Sequence, residues 1–129
     1  PEVRARILYG THVLSQSRYI SHYQQAQKLR RLMADEWQQA FQSCDLVLAP
    51  VTSGAAWSVD APPEQIQAFT APASLAGLPA LSLPAGQTAD GLPLGVQLIA
   101  PHLQEQGLLA VAHAWQQGTD WHTRRPQGH

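Results

Sequence analysis

The stretch from Phe69 to Pro101 restricts the possible folds of this chain more than any other, because proline and glycine stop regular structure at short intervals there. Ala71 to Ala76 suits a short helix, with Gly77 as the residue that ends it. Ala80 to Leu83 reads as a strand held between Pro79 and Pro84, since proline cannot donate to a sheet ladder. Asp90-Gly91 marks a turn in the connection from Ala85 to Leu92. Leu94 to Ala100 then reads as a second strand. A helix-terminated segment followed by a hairpin needs support on both faces, so the flanking chain must supply helices.

The flanks carry that pattern. Glu2 to about Leu14 reads as a helix with Val3, Ile7 and Leu14 on one face and Glu2 in its first turn. Ser15-Gln16-Ser17 breaks it and offers cap residues. A long helix is expected from about Arg18 to Gln42, with Tyr19, Tyr23, Ala26, Met33, Trp37 and Phe41 on its apolar stripe and Arg30 interrupting it. Leu46 to Ala49 is a continuous apolar run stopped by Pro50, which reads as a central strand buried on both faces. From Val51 to Gln65 an irregular loop is expected, with one helical turn at Glu64–Ala68; loops of this length are often functional. From Leu103 to Gln117 a last helix should turn Leu108, Val111, Ala112 and Trp115 inward, and Gly118 ends it. The polar end, Thr119 to His129, should fray. Three strands, none of them evidently at a sheet edge, and four helices give an α/β class.

Charge and cysteine content narrow the function. The net charge is −1, and the eight basic residues form no stripe, so no nucleic-acid footprint is present. No apolar run approaches the length of a membrane span, about 20 residues. One cysteine, Cys44, forbids an internal disulfide framework and fits a reducing compartment, so a cytoplasmic location is expected. Charged residues are only 13% of the chain. That is low for the surface of a free-standing small domain, so part of this surface is expected to lie under other chain.

The residues alone offer no catalytic constellation. No G-x-S-x-G elbow is present. Ser53 lies in a loop with no base implied beside it. Cys44 reads as a small buried hydrophobe rather than a reactive thiol. The six histidines show no metal-ligand spacing, so neither a metal nor a cofactor is expected. The single lysine, Lys28, falls within a helix.

Several blocks resemble the amidase signature family. Glu2 to Thr11 (EVRARILYGT) is similar to the EVKRRIxLGT block of the family's tRNA-dependent amidotransferases. Ser21 to Arg30 resembles DAYYxKAQKVR, and Cys44 to Pro50 resembles YDVIIGP. Leu75 to Pro84 and Gly91 to Ile99 are similar to NLAGxPAISVP and GLPLGLQIIG, with order, spacing and prolines in agreement. The resemblance implies a mixed sheet flanked by helices. It also implies amide hydrolysis by a Ser–cis-Ser–Lys triad through an acyl-enzyme. No residue here matches the triad, which lies upstream of these blocks in the family. Residues 1–129 therefore read as one C-terminal segment, inactive alone, whose partner is the missing N-terminal part. A small amide would be the substrate of the intact protein.

For substrate binding, the resemblance implies three residues. Arg6 falls on an arginine that binds a substrate carboxylate, and a planar guanidinium suits that task. On the residues alone it reads equally as a surface arginine. Gln67 falls where the tRNA-dependent amidotransferases carry an aspartate for the substrate amino group. A neutral amide holds an ammonium less well, which favours a stand-alone amidase over a tRNA-dependent amidotransferase. Thr70, with Phe69, would line the pocket mouth or pack at a helix start. A non-catalytic interaction module is the competing reading. A large apolar face is expected where the missing part packs, and self-association through it is the further possibility.

Overall fold

The computed structural model describes residues 2–60 and 68–125. Four α-helices and three strands follow in the order α1 (Glu2–Val13), α2 (Gln25–Ala40), β1 (Val47–Pro50), α3 (Ala71–Ala76), β2 (Ala80–Gln87), β3 (Pro93–Ile99) and α4 (Glu105–Gly118), as the α/β class required. A π-helical turn, Tyr19–Gln24, leads into α2, and a single 3₁₀ turn, Trp121–Thr123, follows α4.

The sheet order is β1-β3-β2, with β3 antiparallel to both neighbours. Val47, Leu48, Ala49 and Pro50 pair with Ile99, Leu98, Gln97 and Val96. On the other side Leu81, Ser82 and Leu83 pair with Leu98, Gln97 and Val96. Directly opposed residues share a face, so the sheet sorts its side chains cleanly. Val96, Leu98 and Ala100 join Leu81 and Leu83 on the face that packs against Leu108, Ala112 and Trp115 of α4. Gln97 and Ile99 lie on the opposite face. Burial rises along β3, and all residues from Gln97 to Ala100 are buried.

Two strand expectations need correction. β1 is an edge strand among the described residues, not a central one, and its residues alternate in exposure, with Leu48 59% exposed. The apolar run means that both faces can be covered, but no described element covers the outer one. β2 runs through Pro84 instead of stopping there. A register shift between Pro84 and Gly86 absorbs the proline. That is permitted because β2 too is an edge strand among the described residues, where a missing N–H leaves no described neighbour unpaired. The shift leaves the Pro84 carbonyl as acceptor for the Trp115 indole N–H at 3.1 Å, which ties α4 to the sheet.

The helices hold similar lessons. The long helix expected from Arg18 to Gln42 is a π-helical turn followed by α2. Stacking of Tyr19 on Tyr23 (5.1 Å between centroids) and of Trp37 on Phe41 (5.8 Å) follows its apolar stripe. Arg30, which interrupts the stripe, donates through Nε to the Leu75 carbonyl at 2.9 Å. It thereby meets the negative end of α3 with a positive charge and joins α2 to α3. Val111 is 43% exposed rather than inward. It borders a groove of about 340 Å³ with Phe41, Cys44 and Leu46, where α4 stands off the end of α2. Cys44 is half-buried. The expected helical turn at Glu64–Ala68 lies almost wholly outside the described residues.

α3 ends as its sequence dictates. Gly77 takes φ 73°, with its N–H on the Ser74 carbonyl and the Leu78 N–H on the Ala73 carbonyl. The paired bonds satisfy carbonyls that the last turn would otherwise leave open. The hairpin turn places Gly91 at φ 81°, and Thr88 closes it by accepting from Leu92 N–H.

Val3, Ile7, Leu8, Leu14, Ile20, Leu29 and Leu32 are each more than half exposed. They lie along α1, the π-helical turn and α2, with Leu14 just past the end of α1. Among the described residues no helix is long and apolar enough to cross a membrane.

Candidate functional site

The site begins where β1 runs out. Pro50 ends the strand, and Val51 to Trp57 continues without regular structure past the end of β3. Small residues let that chain stay close to the sheet, and two adjoining cavities open beside it. One, about 610 Å³, is lined by apolar groups of Leu48, Pro50, Phe69, Leu94 and Val96, with Thr52 and Ser53 supplying hydroxyls. The other, about 460 Å³, is bordered by Val51, Ala56, Trp57, Ser82 and Pro93. Thr52, Gly54 and Gly95 line both. Such volumes fall in the range of small-molecule pockets, and an apolar lining with a few hydroxyls is their usual composition.

Gly95 leaves the junction of the two cavities open. A Cβ there would rest 3.5 Å from Val51 Cγ2 and 3.6 Å from the Leu83 carbonyl oxygen, which is ordinary contact. A larger side chain would enter the cavities themselves. Thr52 Oγ1 donates to the Gly54 carbonyl at 2.6 Å and tightens the turn of the loop.

Behind the cleft, Gln97 is only 3% exposed. Its Nε2 donates to the Pro50 carbonyl at 2.9 Å and to the Phe69 carbonyl at 2.7 Å. The loop after β1 and the entry to α3 are thus tied to the central strand by one side chain. Sequence reasoning missed Gln97. The signal was available: a lone amide within an otherwise apolar strand is a polar group that must find partners.

Two of the residues expected to bind substrate, Arg6 and Thr70, lie among the described residues. Arg6 lies on α1, outside the lining of both cavities, with Nη2 2.6 Å from Glu2 Oε1 in an exposed i,i+4 pair. Thr70 precedes α3 at the cap position and is half-buried, but its side chain makes no cap bond. Phe69 beside it lines the larger cavity. Gln67 lies outside the described residues. Among the described residues no group of three or more His, Cys, Asp or Glu could hold a metal ion.

The amidase family model matches residues 1–109. A glutamyl-tRNA(Gln) amidotransferase A-subunit from Ralstonia nicotianae is 50% identical over 131 residues, spanning 97% of this chain and 26% of that protein. Its counterpart of the same name from Pseudomonas savastanoi pv. phaseolicola is 50% identical over 134 residues, 99% of this chain and 28% of its own. Among solved structures, the corresponding glutamyl-tRNA(Gln) amidotransferase chain of Thermotoga maritima superimposes with a TM-score of 0.65 at 35% identity, covering 83% of this chain and 25% of that one. A 6-aminohexanoate cyclic dimer hydrolase complexed with substrate gives 0.69 at 26% identity, covering 88% and 27%. The chain therefore spans about a quarter of the length of the relatives it matches.

Proposed function

This chain belongs to the amidase family, and from that premise we propose that it forms one wall of the acyl pocket in an enzyme that hydrolyses carboxamides. The cleft between the Val51–Trp57 loop, Phe69 and β3 is the observation that carries the reading. Its lining is mostly apolar, so it takes the acyl part of an amide out of water. Chemistry falls to a nucleophile supplied from outside these residues. That nucleophile attacks the carbonyl carbon, the C–N bond breaks, the leaving amine takes a proton, and water then cleaves the acyl ester. A catalytic part beyond residues 1–129 is integral to the proposal, and the exposed apolar residues of α1 and α2 are its proposed seat. A cytoplasmic location belongs to it too, supported by a single, unpaired Cys44.

A second reading is favoured by the 50% identity to glutamyl-tRNA(Gln) amidotransferases. In it the amide is that of glutamine, and the released ammonia serves tRNA-dependent amidation. Arg6 would then take the substrate carboxylate, with Gln67 and Thr70 near the amino-acid end. The Glu2 pair does not prevent this, because exposed i,i+4 pairs are worth only about 0.3–0.5 kcal/mol.

The test is ammonia release by the native gene product from a panel of aliphatic amides and glutamine. Turnover of apolar amides supports the acyl-pocket reading, and turnover of glutamine alone moves the assignment to the second. No hydrolysis of any amide would reject both and leave an interaction module.

A further inference from the structure

Gln97 occupies the centre of the sheet, opposite Ala49 on β1 and Ser82 on β2, and is flanked in sequence by Val96 and Leu98. A buried position in a central strand is most stable with a β-branched apolar side chain. An amide there is tolerated only with its hydrogen bonds made. Both protons of the Gln97 NH₂ group are used, on carbonyls that lie 47 and 28 residues away in the chain. Both acceptors, Pro50 and Phe69, also line the larger cavity. One side chain thus fixes the distance between two walls that no regular hydrogen-bond ladder joins.

We propose that Gln97 is a positioning residue for the substrate: its amide clamps the Pro50 and Phe69 walls of the acyl pocket at the separation that an apolar acyl group needs. The substrate role rests on the acyl-pocket reading above, whereas the clamp itself does not. No other uncharged side chain of this size offers two donors from one atom. Glutamate would present only acceptors to two carbonyls. Methionine would fill the volume and hold neither wall.

The experiment uses the intact gene product carrying Gln97→Met or Gln97→Asn, the second keeping the amide but shortening its reach. Native-state cleavage by chymotrypsin after Trp57 and Phe69 is compared with cleavage after Trp115, which lies on α4 across the sheet. With both variants, cleavage at Trp57 or Phe69 should rise about tenfold while cleavage at Trp115 stays constant, because opening of the cleft is local. In the amide assay, kcat/KM for a long aliphatic amide should fall about tenfold relative to acetamide, through KM. Unchanged cleavage at Trp57 and Phe69 would overturn the clamp. Equal acceleration at Trp115 would also overturn it, by making Gln97 a residue of general stability. Loosened walls with unaltered amide selectivity would overturn the substrate role. An unmodified protein that hydrolyses no amide would defeat the acyl-pocket reading instead, with proteolysis still deciding the clamp.

Discussion

Replacing Gly77 by alanine should destabilise the protein through the backbone alone. Gly77 holds φ 73° at the end of α3, and a Cβ built on it meets nothing within 4 Å. No clash or lost contact therefore contributes. What remains is the cost of placing an L-residue in the left-handed region, about 1–2 kcal/mol. Escape from that conformation would break the bonds from Gly77 N–H to Ser74 and from Leu78 N–H to Ala73, which hold the last turn of the helix. A loss of about 1–2 kcal/mol reduces the folding equilibrium constant roughly 5- to 30-fold. Gly10 supplies the opposite case. It lies within α1, its φ is not positive, and its Cβ position is equally empty. Alanine there should stabilise by about 0.5–1 kcal/mol. Urea unfolding of the two variants of the intact protein gives both signs in one assay. Gly77→Asn should fall between glycine and alanine, since asparagine visits the left-handed region more readily. A neutral Gly77→Ala, or the same sign of effect at both glycines, would refute the conformational argument.

Leu108→Ala should cost about 2–5 kcal/mol, because this α4 side chain is 4% exposed and packs on Leu83 and Leu98; thermal unfolding measures it. Trp115→Phe keeps most of the packing but leaves the Pro84 carbonyl without its indole donor, for a loss of about 1 kcal/mol in urea unfolding. Arg6→Ala should raise KM for amino-acid amides and glutamine by about tenfold or more while leaving neutral aliphatic amides unchanged, if the guanidinium holds a carboxylate. Equal KM changes for both substrate classes would remove Arg6 from the site.

Much of the fold was legible because it rests on local rules. Proline and glycine spacing placed α3, its left-handed terminus at Gly77 and the turn at Gly91 close to where they lie, since each is a restriction on one residue's own backbone. The inward face of α4 followed from its periodicity at Leu108, Ala112 and Trp115, although Val111 turned out to border an open groove. The motif blocks identified the family with no further help, because order and spacing of several short patterns are hard to match by accident.

Edges, kinks and contacts between distant segments were decided by tertiary structure. The run Leu46–Ala49 is apolar enough for a central strand, yet among the described residues β1 lies at an edge, because hydrophobicity states what a strand can bury and not which neighbour arrives. Pro84 does not stop β2, because a sheet edge with a bulge forgives a missing donor. Arg30 breaks an apolar stripe in sequence and closes the end of another helix in space. Gln97 is the fullest case. The sequence contains only an amide among apolar residues, and its meaning depends on two carbonyls that folding brings within 3 Å of it from separate parts of the chain. Local backbone preference is written residue by residue, but a hydrogen bond between remote segments exists only once the chain has closed around it.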